Sequence, residues 1–279
     1  MATLVTEQGV VHYEAYGRGR PVLLLHGWLN SWNVWRSTIE ALGRDFRLYA
    51  LDFFGFGDSS DQANDFSVSN FSTLVTQFMA QLGIQRAPLV GHSMGGTVAL
   101  TTAIRHPDQI AKVAVVGSPI DGASLSPLLR IAAYPGWQSL ARKVPAMFRP
   151  VQFGLNLFLR VYSRFLARDA RAVCQMLTSD LNKLTVMPFL ESIGTLRQTD
   201  LRSLVGCLDM PVMGIYGAKD VLVDPGQAQV LKQALPSGQI AWFEDSGHFP
   251  MMDEPERFHT TLRDFLADVP GEGNATVHY

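Results

Sequence analysis

From residue 87 to residue 116 the chain reads strand, sharp turn, helix, strand within about thirty residues, the length of one βαβ unit. Ala87-Pro88-Leu89-Val90 is short, apolar and opened by proline. Residues 96–105 are small and alanine-rich, long enough for a buried helix, and His106-Pro107 stops it. Val113-Ala114-Val115-Val116 follows at once. Two strands joined by such a crossover run parallel, so the unit commits its surroundings to a sheet with helices on its faces. The turn, Gly91-His92-Ser93-Met94-Gly95-Gly96, sets a serine between glycines two residues to either side. A turn this sharp presses backbone against backbone, and glycine at the flanks is expected to relieve both the collision and the φ penalty.

The same alternation recurs on either side. Residues 10–16 read as an early strand, 21–25 as a buried one and 47–51 as the next. Trp32, Trp35, Ile39 and Leu42 fall at helical spacing behind Asn30-Ser31, residues suited to a cap, and Phe71, Leu74, Val75, Phe78 and Leu82 repeat that period. Residues 212–216 and 240–243 read as further strands, and 255–266 as a closing helix. Alternating elements with continuous apolar strands imply an α/β fold with a doubly wound, mostly parallel sheet.

Residues 120–205 break the pattern. They hold Pro127, Pro135, Pro145, Pro150 and Pro188, no convincing strand and several helical apolar stripes. The expected organisation is a core made of residues 1–119 and 206–279, with a helical cap inserted over 120–205. Arg130, Arg142, Lys143, Arg149, Arg160, Arg164, Arg168 and Arg171 are opposed between residues 130 and 171 by Asp169 alone. Phe153, Leu157, Phe158, Val161, Tyr162 and Phe165 run between the arginines at helical spacing, so the region reads as a basic amphipathic helix.

Composition narrows the class. A chain of 279 residues, 47% apolar and 17% charged, can bury a large core. A formal net charge of -2 gives no reason to expect nucleic acid as a partner. Cys174 and Cys207 are too few and too isolated for a disulfide framework or a thiolate zinc site, and they suit a reducing compartment. Residues 1–10 carry neither a basic leader nor an apolar run, and no apolar segment reaches the ~20 residues that span a bilayer, so a cytoplasmic protein is expected. Asn274-Ala275-Thr276 matches a glycosylation sequon of the kind chance supplies in a polar tail. No metal cluster, phosphate loop or dinucleotide fingerprint stands out, so no cofactor or metal is expected.

Four further motifs sit at strand ends. His26-Gly27-Trp28 follows residues 21–25, and Asp52-Phe53-Phe54-Gly55-Phe56-Gly57-Asp58-Ser59 follows 47–51. Gly217-Ala218-Lys219-Asp220 follows 212–216, and Asp245-Ser246-Gly247-His248-Phe249-Pro250 follows 240–243. With the Gly91 to Gly95 turn, these make the chain resemble the α/β-hydrolase family over nearly its whole length, in that family's order of serine, aspartate, histidine. Catalytic groups of open parallel sheets gather at such carboxyl ends.

The resemblance makes Ser93 the nucleophile, against the plainer reading of a helix-cap serine. A hydroxyl needs an adjacent base to take its proton, and His248, in a loop with no core to explain it, suits that role among seven histidines. His26 is expected to hold the neighbouring loop, and His92, adjacent to the serine, to point away from it. Asp220 matches the family's carboxylate, with Asp121 a rival after an earlier strand and Asp224 better suited to a helix cap. Backbone N–H groups of Trp28 and Met94 would form the oxyanion hole. Asp52, Asp58 and Ser59 are expected to hold their own loop.

Serine at this position implies an acyl-enzyme from an ester, thioester or amide rather than the alkyl-enzyme of the family's aspartate branches. A small-molecule carboxylic ester or thioester with an apolar acyl group is the expected substrate, and residues 26–32 look closer to small carboxylesterases, including those acting on pimeloyl methyl esters, and to cofactor-free haloperoxidase-like esterases. Carbon–carbon bond hydrolysis, acyl transfer and perhydrolysis use the same triad, and a ligand receptor without turnover is the alternative of another class. Two readings of the basic helix stay open. Its apolar face covers the active site, or it makes a peripheral contact with an anionic membrane or acyl carrier.

Overall fold

The computed structural model of the protein describes residues 2–144 and 148–267; the sequon, His278 and Pro145 lie outside them. Eight strands, β1 (Ala2–Thr6), β2 (Gly9–Tyr16), β3 (Pro21–Leu25), β4 (Arg47–Leu51), β5 (Ala87–His92), β6 (Ile110–Val116), β7 (Val212–Gly217) and β8 (Gln239–Phe243), form one sheet. Their spatial order is β1-β2-β4-β3-β5-β6-β7-β8. β1 and β2 are antiparallel additions at one edge, and every pairing from β4 across to β8 is parallel. β1 was not apparent in the sequence, because a five-residue edge strand that buries only alternate side chains has no apolar run.

Between the strands run α1 (Arg36–Leu42), α2 (Val68–Gln81) and α3 (Met94–Arg105), and after β7 come α9 (Gln227–Ala234), α10 (Pro250–Asp253) and α11 (Pro255–Ala267). Ser31 opens the turn before α1, its side chain accepting the Asn33 N–H, and Ser67 caps α2 by accepting from Asn70. The central strands carry continuous apolar runs because both faces are covered: Leu23, Leu24, Leu25, Val113, Ala114, Val115 and Val116 are all fully buried. The direction of winding reverses between β3 and β5, which lie side by side while β4 sits beyond β3. Loops leaving those two strands therefore diverge, and a crevice opens at their carboxyl ends.

Among the described residues, five α-helices lie between β6 and β7: α4 (Pro127–Ala132), α5 (Pro135–Lys143), α6 (Phe148–Tyr162), α7 (Ala170–Lys183) and α8 (Val186–Gln198). Bridges of Asp121 with Asp200 and of Leu125 with Val223 tie the ends of this segment to the body of the fold. The apolar stripe expected along α6 does not form one face. Phe158 and Tyr162, with Leu155 and Leu159, point into a cavity above the sheet, whereas Phe153 (74%), Leu157 (58%) and Val161 (54%) stand in solvent. Both sides of the helix are apolar, so helical spacing alone merged two surfaces into one.

Candidate active site

Ser93 occupies the crevice between β3 and β5 at the first position before α3, with φ 51 and ψ -119. Its side chain makes no capping hydrogen bond, so the helix-cap role does not describe it. Gly91 and Gly95 are needed for space: a Cβ on Gly91 would overlap the Gly95 carbonyl, and one on Gly95 the carbonyls of Leu25 and His26. The expected φ relief at the glycines is not found. Neither is left-handed, and the strained backbone falls on the serine itself, at a cost of order 1–3 kcal/mol. The tight contacts hold the flanks in place, and the only residue left to absorb the turn is the one at its tip.

Among the described residues, Leu29 at φ 61 is the other non-glycine in the left-handed region, and it lies in the facing loop after β3. His26 is buried and kept neutral by that burial. Its Nδ1–H donates to the Gly27 carbonyl at 2.8 Å while its Nε2 accepts the Phe53 N–H at 3.0 Å, so the ring staples the loop as expected. A Cβ on Gly27 would lie 2.8 Å from His92 Nδ1 and 3.0 Å from Ser93 Cβ, which shows how closely the two loops approach. The backbone N–H groups of Trp28 and Met94 have no hydrogen-bond partner among the described residues.

His248 Nδ1–H donates to Asp220 Oδ2 at 2.7 Å, and both side chains are almost fully buried. The other Asp220 oxygen accepts the N–H groups of Leu222 and Val223 at 2.8 and 3.1 Å. The carboxylate is thus fixed in place, and the bond leaves His248 Nε2 as the ring's free acceptor. Asp121 and Asp224 are engaged elsewhere: Asp121 accepts from Ala123 N–H and pairs with Arg202, and Asp224 accepts from Gly226 N–H. Trp28, Ser93 and His248 line one cavity of about 100 Å³, otherwise walled by apolar side chains such as Leu129, Leu155, Tyr162 and Phe189.

Three supports of His248 were not read as such from the sequence. Its carbonyl accepts the His92 Nε2–H at 2.9 Å, and burial drives the His92 pKa well down, so that ring is neutral and acts as a strut. Its N–H donates to the Leu166 carbonyl at 3.0 Å, from the connection between α6 and α7. Gly117, left-handed at φ +54 just after β6, passes so near the pair that a Cβ would sit 3.3 Å from both Asp220 Oδ2 and His248 Nδ1. A glycine directly after an apolar strand was the one visible signal of these three.

Asp52 holds its loop. Its carboxylate accepts from His12 Nδ1–H and from the N–H groups of Trp32 and Asp58, and Ser59 Oγ–H donates to its carbonyl. His12, Asp52 and Asp58 place ligand atoms within 4.8 Å of one another, yet the Asp52 bond raises the His12 pKa and Asp58 pairs with Lys183. Asp52 and Asp58 are thus engaged by partners from the protein itself. Among the described residues no helix is long and apolar enough to cross a membrane.

A family model described as alpha/beta hydrolase fold matches residues 20–255. The pimeloyl-[acyl-carrier protein] methyl ester esterase of Vibrio campbellii is 30% identical over 266 residues, covering 92% of this chain and 98% of the relative. The protein of that name from Nitrosomonas europaea is 30% identical over 254 residues, covering 89% and 96%. Among solved structures, an esterase from Exiguobacterium antarcticum superposes with a TM-score of 0.81 at 20% identity, over 95% of this chain and 99% of that one. That last likeness concerns the fold.

Proposed function

The chain belongs to the α/β-hydrolase fold family, and from that premise we infer that it is a carboxylic ester hydrolase with Ser93 as nucleophile, His248 as its base and Asp220 as the orienting carboxylate. The observation that carries this reading is a serine held at the tip of a strained turn, its side chain uncommitted, in one cavity with a histidine whose far nitrogen is bonded to a buried carboxylate. His248 Nε2 takes the Ser93 proton as Oγ attacks the ester carbonyl. Negative charge gathers on the carbonyl oxygen, where the Trp28 and Met94 N–H groups donate to it. Asp220 stabilises the imidazolium, which then protonates the leaving alcohol. Water repeats the sequence and frees the acid. Each peptide N–H aimed at the developing oxyanion contributes on the order of 3–4 kcal/mol of barrier lowering.

Helices α4 to α8 serve as a cap over the site, and the apolar wall favours an apolar acyl group. The exposed side of α6 supports an anionic partner, since Phe153, Leu157 and Val161 lie there beside Arg160, with Arg164 in the turn just after the helix. With relatives that act on an ester of an acyl-carrier protein, an acyl group delivered by such a carrier is the finer reading. Binding to anionic vesicles in place of a carrier would overturn that finer part alone. The hydrolytic assignment is tested by p-nitrophenyl ester turnover with the purified protein, which Ser93→Ala should abolish. Wild-type rates in Ser93→Ala would remove Ser93 as the nucleophile.

A further inference from the structure

Two apolar cavities lie side by side beneath the inner side of α6. The first, described above, holds Ser93 and His248. The second, of about 260 Å³, lies between α4, α5, α6 and α8, and Phe148, Val151, Ala141 and Trp137 line it without touching the first. Leu128, Ala132, Leu155 and Phe189 line both, so the two are separated by single side chains. Phe189 is the main partition. On one side Trp28, from the serine's cavity, lies with its ring 4.8 Å away and tilted by 43°, and donates its indole N–H to the Phe189 carbonyl at 2.9 Å. On the other side the ring of Phe148 lies 5.5 Å away.

None of the described residues lining the second chamber has a charged side chain, and the indole N–H of Trp137 is already bonded to the Ile131 carbonyl. A ligand resting there has nothing to pair a polar group with, so its buried part must be hydrocarbon. A long acyl chain meets that condition while keeping its polar end at the serine. We propose that the second chamber is a subsite for the distal methylenes of a long acyl chain whose carbonyl sits at Ser93. The chain passes Phe189 between Leu128, Ala132 and Leu155, and Phe189 sets how readily it does so. This rests on the ester-hydrolase reading above and names its substrate as a long-chain rather than a short-chain acyl ester.

The test is kcat/KM for p-nitrophenyl acetate, butyrate, octanoate and dodecanoate with wild type, Val151→Trp and Phe189→Ala. Val151 lies on the second chamber and is 41% exposed, so an indole can enter from the rim without a rebuilt core. Each methylene buried in an apolar site changes efficiency about fourfold. Wild-type efficiency should rise beyond butyrate, and Val151→Trp should lower the dodecanoate-to-acetate ratio by about that factor for every methylene excluded. Phe189→Ala should raise the dodecanoate-to-octanoate ratio. An unchanged chain-length profile in Val151→Trp, or a wild-type profile that ends at butyrate, overturns the proposal. Serine-dependent acetate turnover in those same assays would leave ester hydrolysis standing, whereas its absence would remove the parent reading. Thermal melts of each variant report that it has folded.

Discussion

Asp180 on α7 is a carboxyl that the fold should keep protonated near neutral pH, and Asp180→Asn exposes the consequence. The side chain is 6% exposed, and one oxygen accepts the Ser31 hydroxyl at 2.9 Å while the other has no partner among the described residues. Burial is the main cause that pushes its pKa up to about 7 from 3.8; the Asp52 charge adds to this, and the Ser31 bond and Lys183 oppose it. In the unfolded chain the group ionises near its ordinary value, so between the two values the folded state binds the extra proton. Folded stability from this group is therefore complete below the unfolded pKa and falls as pH rises towards 7. At ~1.36 kcal/mol per unit, three units give a ceiling of about 4 kcal/mol. Asparagine keeps the acceptor for Ser31 and cannot ionise. Its amide, left unpaired, costs about 1–3 kcal/mol at every pH, so the readout is slope and not level. Urea unfolding of both proteins from about pH 4.5 to 8 should show the variant gaining on wild type by an amount approaching that ceiling. Parallel stability curves would mean that Asp180 is ionised in the fold and that its burial has been misjudged.

Two further substitutions test the framework around His248. Gly117→Ala puts a methyl against both partners of the Asp220 bond at a left-handed position, so kcat for a short ester should fall about tenfold or more, with ~1 kcal/mol lost from stability. Thermal melts beside the kinetics separate the effects, and unaltered kcat would show that the pair tolerates the intrusion. His92→Leu leaves the His248 carbonyl buried without a donor; about 1–3 kcal/mol of stability should go, and kcat should drop more than KM rises. A variant that is destabilised with kcat intact would make His92 a core residue and not a strut.

Strands β3, β4, β5, β6 and β7 were legible in the sequence because burial on both faces writes itself as unbroken apolar runs. β1 was not, since its five residues bury only alternate side chains and make no apolar run. The serine, histidine and aspartate stood out because each follows such a run in a loop that packing does not explain. What holds them did not stand out. His92 acts through a ring nitrogen on a backbone carbonyl, Leu166 acts through its own carbonyl, and neither contact depends on a residue pattern. The φ of Ser93 was misassigned to its neighbours for a related reason: composition says where glycine is, and only the packed turn says which residue carries the strain. On α6, two apolar sides share one helical period, so spacing could not tell the side facing the cavity from the side facing water.

Leu29 and Ser93, the left-handed pair on opposite lips of the crevice, have a consequence for anyone evolving this protein towards heat resistance. Glycine at either position releases conformational strain, and selection scored by melting temperature alone would be drawn to both. Ser93→Gly removes the hydroxyl on which hydrolysis is proposed to depend, and Leu29→Gly slackens the loop that carries Trp28. Thermal robustness and turnover therefore pull in opposite directions at these two positions, and a screen for hardier variants has to score hydrolysis alongside survival.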